Sequence, residues 1–193
     1  LLISSQCIGK SVLNGVLESS DVENTITCLK DLGVKIIKKN KKYMVYGNGF
    51  SSFKNINNKK LYAGNSGTLA RMLIALISTQ PNLKINISGD SSLNKRDMSR
   101  IINPLSKIGC NFYPKGKATL PLTVEGTSMP LAQHHVETIG SAQVKSAILL
   151  ASLNTPGITT IEGKKISRNH TENLLTSLKF NIKIKNSKEK FFI

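Results

Sequence analysis

Arginine is the residue whose sparing use in this sequence points most directly to chemistry. Four of the 27 basic residues are arginines, namely Arg71, Arg96, Arg100 and Arg168, and the others are lysines. The planar guanidinium group can grip a phosphate or a carboxylate with two parallel hydrogen bonds, which the lysine ammonium group cannot do. These four positions are therefore the first candidates for binding an anion.

Two short polar clusters stand directly before apolar runs that are typical of helices. Ser66-Gly67-Thr68 precedes Met72 to Ile77, and Ser141-Ala142-Gln143 precedes Ile148 to Leu153. Serine caps helices, and the free backbone N–H groups of a first helical turn bind anions. Gly67 has no side chain, so an anion can approach its backbone closely. We therefore expect an anion site at each of these two helix starts.

Helix capping alone does not account for the residues around these two starts. Gln143 and Lys145 lie on the first turn of an otherwise apolar helix, and Arg71 lies one turn into the earlier one. Arg96 and Arg168 are predicted at the starts of two further helices. If the helices belong to units related by rotation, their positive ends point toward one face, where they would converge on one cluster of negative charge.

Groups for proton transfer or metal binding are scarce in the sequence. Glu137 and Glu172 stand singly, without a partner at useful spacing, and His134-His135 is predicted to lie in a surface loop. His170 is predicted to be a contact at a helix start rather than a catalyst, so no acid–base pair is evident. The cysteines show no CxxC spacing, which favours buried thiols in a reducing compartment and no metal site; they are Cys7, Cys28 and Cys110.

The formal net charge of +16 is a property that many nucleic-acid-binding proteins share. The lysines, however, are dense in loops such as Lys38-Lys39-Asn40-Lys41-Lys42, and few aromatic residues stand between them to stack on bases. An anionic small substrate accounts for a positive field equally well, and a non-catalytic basic domain that binds nucleic acid stays open as an alternative. No apolar run approaches the length of a membrane span, and no signal peptide is visible.

One helix-to-strand pattern occurs three times along the chain. It begins at Leu29, Leu105 and Leu175, and in each copy two apolar residues three positions apart precede a break and an apolar strand. The offsets between the copies are 76 and 70 residues, and the two serine clusters are 75 residues apart. Two independent patterns thus agree on one repeat length, which is typical of a domain built from similar units.

Each repeat is predicted to contain a helix, a strand, a second helix and two further strands. We therefore predict one α/β (α+β) domain over residues 1–193, with units near residues 1–64, 65–139 and 140–193, the first lacking the start of its opening helix. Unit two shows the order best, with helix Gly67 to Ser78, strand Leu83 to Ser88, helix Arg96 to Ile108, and strands near Cys110 to Tyr113 and Leu120 to Glu125.

Four segments of the chain resemble the 5-enolpyruvylshikimate-3-phosphate (EPSP) synthase family. They are "GNSGTLARMLIAL", "GDSSLNKRDMSRIINPLSKIG", "SAQVKSAILLASL" and "SRNHTENLL", and they occur in the order and spacing of that family over essentially the whole chain. The pair "SAQVKSA" and "SRNHTE" resembles the subclass often noted for glyphosate tolerance. It speaks against the UDP-N-acetylglucosamine enolpyruvyl transferases, which share the fold and are the nearest alternative.

The resemblance implies a function in the shikimate pathway, which leads to chorismate and the aromatic amino acids. In this family enolpyruvyl moves from phosphoenolpyruvate to the 5-hydroxyl of shikimate 3-phosphate and phosphate is released, without a metal or a redox cofactor. Two domains, each of three βαβαββ units in pseudo-threefold arrangement, close on the substrates. The resemblance thus implies a cytoplasmic enzyme that is a monomer when intact, with no nucleic-acid or membrane partner.

The resemblance also implies roles for single residues. The residues that match the family's contacts to shikimate 3-phosphate are Ser141, Ala142, Gln143 and Arg168. The residues that match its contacts to phosphoenolpyruvate are Asn65, Gly67 and Arg96, of which Arg96 would grip the phosphate. Arg96 and Gln143 are the expected catalytic residues, because they would stabilise charge that develops during the reaction.

The sequence departs from the family pattern in ways that bear on activity. Asp97 and Met72 stand where the family usually has proline, and Asp97 is expected to weaken the neighbouring Arg96. A Lys-Ser pair and an arginine of the family would precede Leu1, and the family's catalytic aspartate belongs to a second domain that is absent here. We therefore predict negligible turnover by this chain alone and weak binding of shikimate 3-phosphate at best.

Overall fold

The chain folds into a mixed arrangement of α-helices and β-strands. The computed structural model describes residues 1–54, 60–163, 165, 167–185 and 190–192. The α-helices of this part are α1 Leu2–Gln6, α2 Ser20–Asp31, α3 Gly67–Ser78, α4 Ser99–Lys107, α5 Ala142–Ser152 and α6 His170–Ser177. The strands are β1 Ile8–Leu13, β2 Lys35–Lys39, β3 Lys42–Asn48, β4 Lys60–Tyr62, β5 Lys84–Ser88, β6 Asn111–Tyr113, β7 Leu122–Glu125, β8 His134–Glu137, β9 Thr160–Gly163, β10 Lys183–Lys185 and β11 Lys190–Phe192.

The two four-stranded sheets have the same strand order, and the three-stranded sheet matches its last three positions. The orders are β1-β3-β2, β4-β5-β7-β6 and β8-β9-β11-β10, and the parallel pairs are β4 with β5 and β8 with β9. The remaining described pairs are antiparallel, so each sheet contains a hairpin beside the strand that precedes the second helix of its repeat. The expected mixed α/β class is confirmed.

Two strands of this arrangement were not predicted from the sequence. Strand β4 has three residues and strand β8 has four, which is too short for the alternation of apolar and polar residues to stand out. The expectation that His134-His135 lies in a surface loop is wrong, because both residues belong to β8 and pair with β9. Parallel pairing in the sheet, which is a long-range contact, makes this segment a strand.

Helices α3 and α5 lie in the core and pack against each other. Both are apolar around most of their circumference, as is typical of a helix buried on all sides. Within α3 only Thr68 and Arg71, both near its start, are not buried. Within α5 the partly exposed residues are Ala142, Gln143 and Ser146. The first turns are therefore the places where side chains of these two helices are accessible to solvent.

The break in the repeated helix-to-strand pattern has one backbone conformation in all three copies. Gly33, Gly109 and Lys179 follow α2, α4 and α6 with φ of 90°, 105° and 61°. This left-handed conformation ends helices and favours glycine. The predicted glycine stops are thus confirmed, and Lys179 adopts the same region although it carries a side chain. None of the helices in the described part of the chain is long and apolar enough to cross a membrane.

Candidate functional site

The two predicted helix starts are confirmed as capped helix N-termini. Ser66 Oγ accepts a hydrogen bond from Leu69 N at 3.3 Å at the start of α3. Ser141 Oγ accepts one from Val144 N at 3.4 Å at the start of α5. Each cap satisfies one backbone N–H group and leaves others of the first turn available to a ligand.

The first turns of α3 and α5 touch through side chains. Gln143 Nε2 donates a hydrogen bond to Thr68 Oγ1 at 2.9 Å, although the two residues are 75 positions apart. Gln143 therefore lies beside the start of the other helix. The first turns of α5 and α3 are thus in direct contact through Gln143 and Thr68.

Two guanidinium groups flank Gly67. A Cβ atom added to Gly67 would lie 2.7 Å from Arg71 Nη1 and 3.1 Å from Arg96 Nη1. Arg71 also donates to the Gly67 carbonyl at 3.3 Å and to the Asp97 carbonyl at 3.1 Å. The two guanidinium groups occupy the space that a side chain at this position would need. Glycine therefore allows both groups to approach the helix start.

Arg96 is held in place by a chain of hydrogen bonds. Its Nη2 donates to Asn65 Oδ1 at 2.7 Å, and Asn65 Nδ2 donates to Asp90 Oδ2 at 2.7 Å. Asp90 Oδ1 in turn accepts from Leu93 N at 2.7 Å. The hydrogen bond from Leu93, followed by that from Asn65, lowers the pKa of the Asp90 carboxyl below its ordinary value. Asp90 is thus ionised at neutral pH and orients the Asn65 amide toward the arginine.

The positive charges of Arg71 and Arg96 favour binding of an anion at the start of α3. Burial lowers the pKa of the Arg71 guanidinium below its ordinary value, and the positive charge of Arg96 lowers it further. Two like charges at one place repel each other, and a bound phosphate or carboxylate would relieve that repulsion. This gives the start of α3 the character of an anion site.

The Asp97 carboxylate, which follows Arg96 in sequence, binds Ser99. It accepts hydrogen bonds from Ser99 N at 2.9 Å and from Ser99 Oγ at 2.6 Å, at the start of α4. These contacts with Ser99 lower the pKa of the Asp97 carboxyl. The carboxylate thus accepts from the first backbone N–H group of α4. The expected weakening of anion binding by Arg96 stays a prediction.

A cavity of about 570 Å³ lies beside the first turns of α3, α5 and α6. Most of its wall is apolar, and its polar groups are concentrated where these helices begin. The lining residues are Leu1, Leu2, Ile3, Ser4, Leu13, Thr25, Thr68, Met72, Ala142, Gln143, Ser146, Leu150, Arg168, His170, Thr171, Leu174 and Leu178. A mostly apolar concave space with a few convergent polar groups is typical of a small-molecule site.

The predicted site residues fall into two adjacent groups. Ala142, Gln143 and Arg168 line the cavity, and Ser141 caps the helix that carries the first two. The other group, Asn65, Gly67 and Arg96, surrounds the start of α3. Thr68 joins the groups, because it follows Gly67, lines the cavity and accepts from Gln143. In the described part of the chain no cluster of three potential metal ligands occurs.

The predicted start of α4 at Arg96 is wrong, whereas Arg168 lies in the polar stretch predicted to lead into α6. Arg96 is extended, with φ of −73° and ψ of 138°, between a 3₁₀ turn at Leu93–Lys95 and α4, which begins at Ser99. Arg168 lies two residues before the first residue of α6. Both arginines therefore belong to the loops that lead into helices, where their side chains can turn toward a neighbouring element.

The two glutamates, for which sequence spacing shows no acid–base partner, have structural partners in the fold. Glu137 Oε1 accepts from Ile139 N at 2.9 Å and from Ser141 N at 3.4 Å. Glu172 forms a buried ion pair with Lys145, with 2.5 Å between Oε1 and Nζ. Lys145 is therefore a core residue rather than one that faces the cavity.

Asp90 is the residue of this site that sequence reasoning missed. It follows Gly89 at the end of β5 and precedes a 3₁₀ turn, and aspartate at such a position is typical of residues that bind nearby backbone N–H groups. That signal would have identified the turn, whereas the contact with Asn65 depends on the packing of β4 beside β5.

The fold and the site together define an α/β domain in which helix starts, arginines and amides gather beside one cavity. Residues 1–193 match the family model described as EPSP synthase (3-phosphoshikimate 1-carboxyvinyltransferase). The chain belongs to this family.

Similar proteins carry the same name. The chain is 36% identical over 188 residues to 3-phosphoshikimate 1-carboxyvinyltransferase of Paramagnetospirillum magneticum, covering 97% of this chain and 42% of that protein. It is 41% identical over 173 residues to the protein of that name from Streptococcus uberis, covering 89% of this chain and 40% of that one. An EPSP synthase structure from Acinetobacter baumannii matches with a TM-score of 0.90 at 31% identity, covering 100% of this chain and 43% of that one. The chain thus spans less than half of these relatives.

Proposed function

We propose that this chain forms part of a 3-phosphoshikimate 1-carboxyvinyltransferase, which transfers enolpyruvyl from phosphoenolpyruvate to the 5-hydroxyl of shikimate 3-phosphate. The observation that carries the proposal is the hydrogen bond between Gln143 and Thr68. Thr68 is the next residue after Gly67, which two guanidinium groups flank. This contact brings a group suited to hydroxyls next to groups suited to phosphate. The names of the relatives support the same reaction.

In this proposal shikimate 3-phosphate occupies the cavity. Ser141, Ala142 and Gln143 at the start of α5 bind its phosphate and ring, and Arg168 contacts it from the loop before α6. Gln143 is suited to the task because its amide both donates and accepts hydrogen bonds. The apolar walls would contact the carbon skeleton of the ring.

Phosphoenolpyruvate would lie against the start of α3. Arg96 grips its phosphate, Arg71 adds a second positive charge, and Gly67 leaves the space between them open. Asn65 holds Arg96 in orientation through its 2.7 Å hydrogen bond. The two substrates would then meet at Thr68, where the two groups of residues join.

Arg96 and Gln143 would act as catalytic residues by stabilising charge. The 5-hydroxyl adds to C2 of the enol phosphate while C3 gains a proton, and the tetrahedral intermediate then loses phosphate and a C3 proton. Negative charge therefore builds up on the departing phosphate next to the carboxylate. The described residues that line the cavity include no carboxylate. We therefore propose that the proton-transfer groups belong to the part of the enzyme beyond this chain and that this chain alone has negligible turnover.

The proposal extends to the organisation of the enzyme. We propose that the second and third repeat units begin just before β4 and β8, rather than near residues 65 and 140, because these strands pair in parallel with β5 and β9. A cytoplasmic location and a monomeric whole enzyme are part of the same proposal.

A titration of the purified chain tests the substrate assignment. We expect shikimate 3-phosphate to shift the NMR signals of the Gln143 amide and the Arg168 guanidinium saturably, and Gln143→Ala to weaken binding. Lys10→Ala, an exposed change on β1, serves as the control and should leave affinity unchanged. Saturable binding of UDP-N-acetylglucosamine instead would favour the related transferases.

A parallel titration with a single-stranded oligonucleotide tests the alternative class. Nucleic-acid binding through lysines weakens steeply with salt, because neutralised phosphates release counterions. Steep salt dependence without any binding of shikimate 3-phosphate would contradict the proposal and favour a basic nucleic-acid-binding domain.

A further inference from the structure

A buried ion pair joins the two helices that carry the cavity's polar residues. Lys145 Nζ on α5 lies 2.5 Å from Glu172 Oε1 on α6, and the two side chains are 2% and 0% exposed. Each residue belongs to the first turn of its helix. The pair thus connects the start of α5 to the start of α6 inside the protein.

Stability alone does not explain a pair in this environment. Removing two charges from water costs much of what their attraction returns, and apolar residues of similar volume often give an equally stable or more stable protein. Residues beside the pair in sequence belong to the apolar core, among them Val144, Ile148 and Leu175. What an ion pair provides and apolar contacts lack is a fixed direction and distance between two helices.

The pair stands directly behind the cavity wall. Ser146 follows Lys145 in sequence, and Thr171 precedes Glu172. Both residues line the cavity, and their hydroxyl groups form a hydrogen bond of 2.7 Å. Gln143 precedes Lys145 by two positions, and Arg168 precedes Glu172 by four. Any rotation or slide of α5 against α6 would therefore move Gln143 relative to Arg168.

We propose that Lys145 and Glu172 are positioning residues that set the geometry between Gln143 and Arg168 across the cavity. The ion pair fixes the rotation of α5 relative to α6, and the hydroxyl contact beside it maintains the same register at the cavity surface. The affinity test of this inference rests on the proposed function, since it uses shikimate 3-phosphate as the ligand.

The charge-free double variant K145M/E172M separates positioning from stability. We expect it to unfold in urea at the wild-type midpoint or above, yet to bind shikimate 3-phosphate at least tenfold more weakly. The matched control is E18M/K38M, which removes an exposed pair of the same composition and should keep wild-type affinity. Wild-type affinity in K145M/E172M would overturn the inference.

The variant K145Q/E172Q sharpens the test because two amides can restore a directional contact without charge. Positioning predicts affinity within threefold of wild type in this variant, whereas a loss equal to that of K145M/E172M would count against it. If K145M/E172M does not fold, K145M/E172L replaces it. If neither of these two apolar variants folds, the pair is required for stability and the inference fails.

A measurement without ligand keeps the inference separate from the proposed function. We expect the side-chain NMR signals of the Gln143 amide and the Arg168 guanidinium to shift or double in K145M/E172M, and to stay unchanged in E18M/K38M. Unchanged signals in K145M/E172M would overturn the positioning role. Failure of the wild-type chain to bind shikimate 3-phosphate would instead contradict the proposed function and leave this measurement valid.

Discussion

The starts of α3 and α5 have the same local structure and different surroundings. Each begins at a serine whose hydroxyl accepts from the backbone N–H three residues on, and each continues as a buried apolar helix. The start of α3 has two guanidinium groups against Gly67, whereas the start of α5 has an amide, Gln143, and a buried ion pair behind it. Equivalent helix ends can thus be fitted to different ligands by the elements packed beside them.

The difference has a chemical consequence for the proposed substrates. Two cations at α3 suit the concentrated charge of a phosphate, and the repulsion between them favours binding of an anion. A neutral amide beside an apolar cavity at α5 suits a ligand with hydroxyl groups and a carbon ring, and the free N–H groups of the first turn remain for its phosphate.

The largest expected effect lies behind the start of α5. Lys145→Ala leaves the Glu172 carboxylate buried without its counter-charge, and breaking such a pair costs about 3–5 kcal/mol of unfolding free energy. Urea denaturation monitored by circular dichroism measures the loss. The control Lys38→Ala breaks an exposed ion pair and should change the midpoint little. Equal small losses in both variants would show that the α5 start does not depend on the pair.

The next effect concerns the open space at the start of α3. Gly67→Ala places a methyl group 2.7 Å and 3.1 Å from the two guanidinium groups, which must move. Loss of one charge-assisted hydrogen bond costs about 1.5–3 kcal/mol, so phosphate or phosphoenolpyruvate affinity should fall roughly tenfold to a hundredfold. NMR titration gives the affinities. The counterpart Ala142→Gly at α5 should leave phosphoenolpyruvate affinity unchanged, and an equal loss there would remove the distinction between the two starts.

A smaller effect compares the two caps directly. Ser141→Ala should cost about 1 kcal/mol of unfolding free energy, the usual value for a lost helix cap. Ser66 is buried and also donates to Asp21 Oδ2 of α2 at 2.9 Å, so Ser66→Ala should cost more, about 2 kcal/mol. Urea denaturation of both variants tests the order. A larger loss of unfolding free energy in Ser141→Ala than in Ser66→Ala would show that the additional hydrogen bond of Ser66 to Asp21 adds no stability.

The smallest effect is a pH dependence specific to the α3 side. The pKa of Asp90 is lowered in the folded chain, so the unfolded chain binds more protons and stability falls with acid. The contribution is complete above the unfolded pKa of about 4 and is lost as the pH falls through the lower folded value. Asp90→Asn should flatten this part of the urea midpoint curve. An identical curve for the variant would show that Asp90 makes no such contribution.

Local features of the site were predictable from the sequence. The helix starts at Ser66 and Ser141 and the glycine stops at Gly33 and Gly109 depend on contacts within one turn of chain. The bounds of α3, Gly67–Ser78, follow from a continuous apolar run after a cap. Short strands such as β4 escaped prediction because their conformation depends on pairing with a partner elsewhere in the chain.

The sequence by itself determined the class of fold and the capped helix starts at Ser66 and Ser141, because these follow from residue types and local spacing. Only the tertiary structure decided that Gln143 reaches Thr68, that Arg96 reaches Asn65 and that Lys145 is a buried partner of Glu172. Such contacts join residues distant in sequence, and they exist only when sheets and helices have packed in one arrangement. The identity of a side chain at a helix start therefore does not reveal whether it faces a ligand or the core.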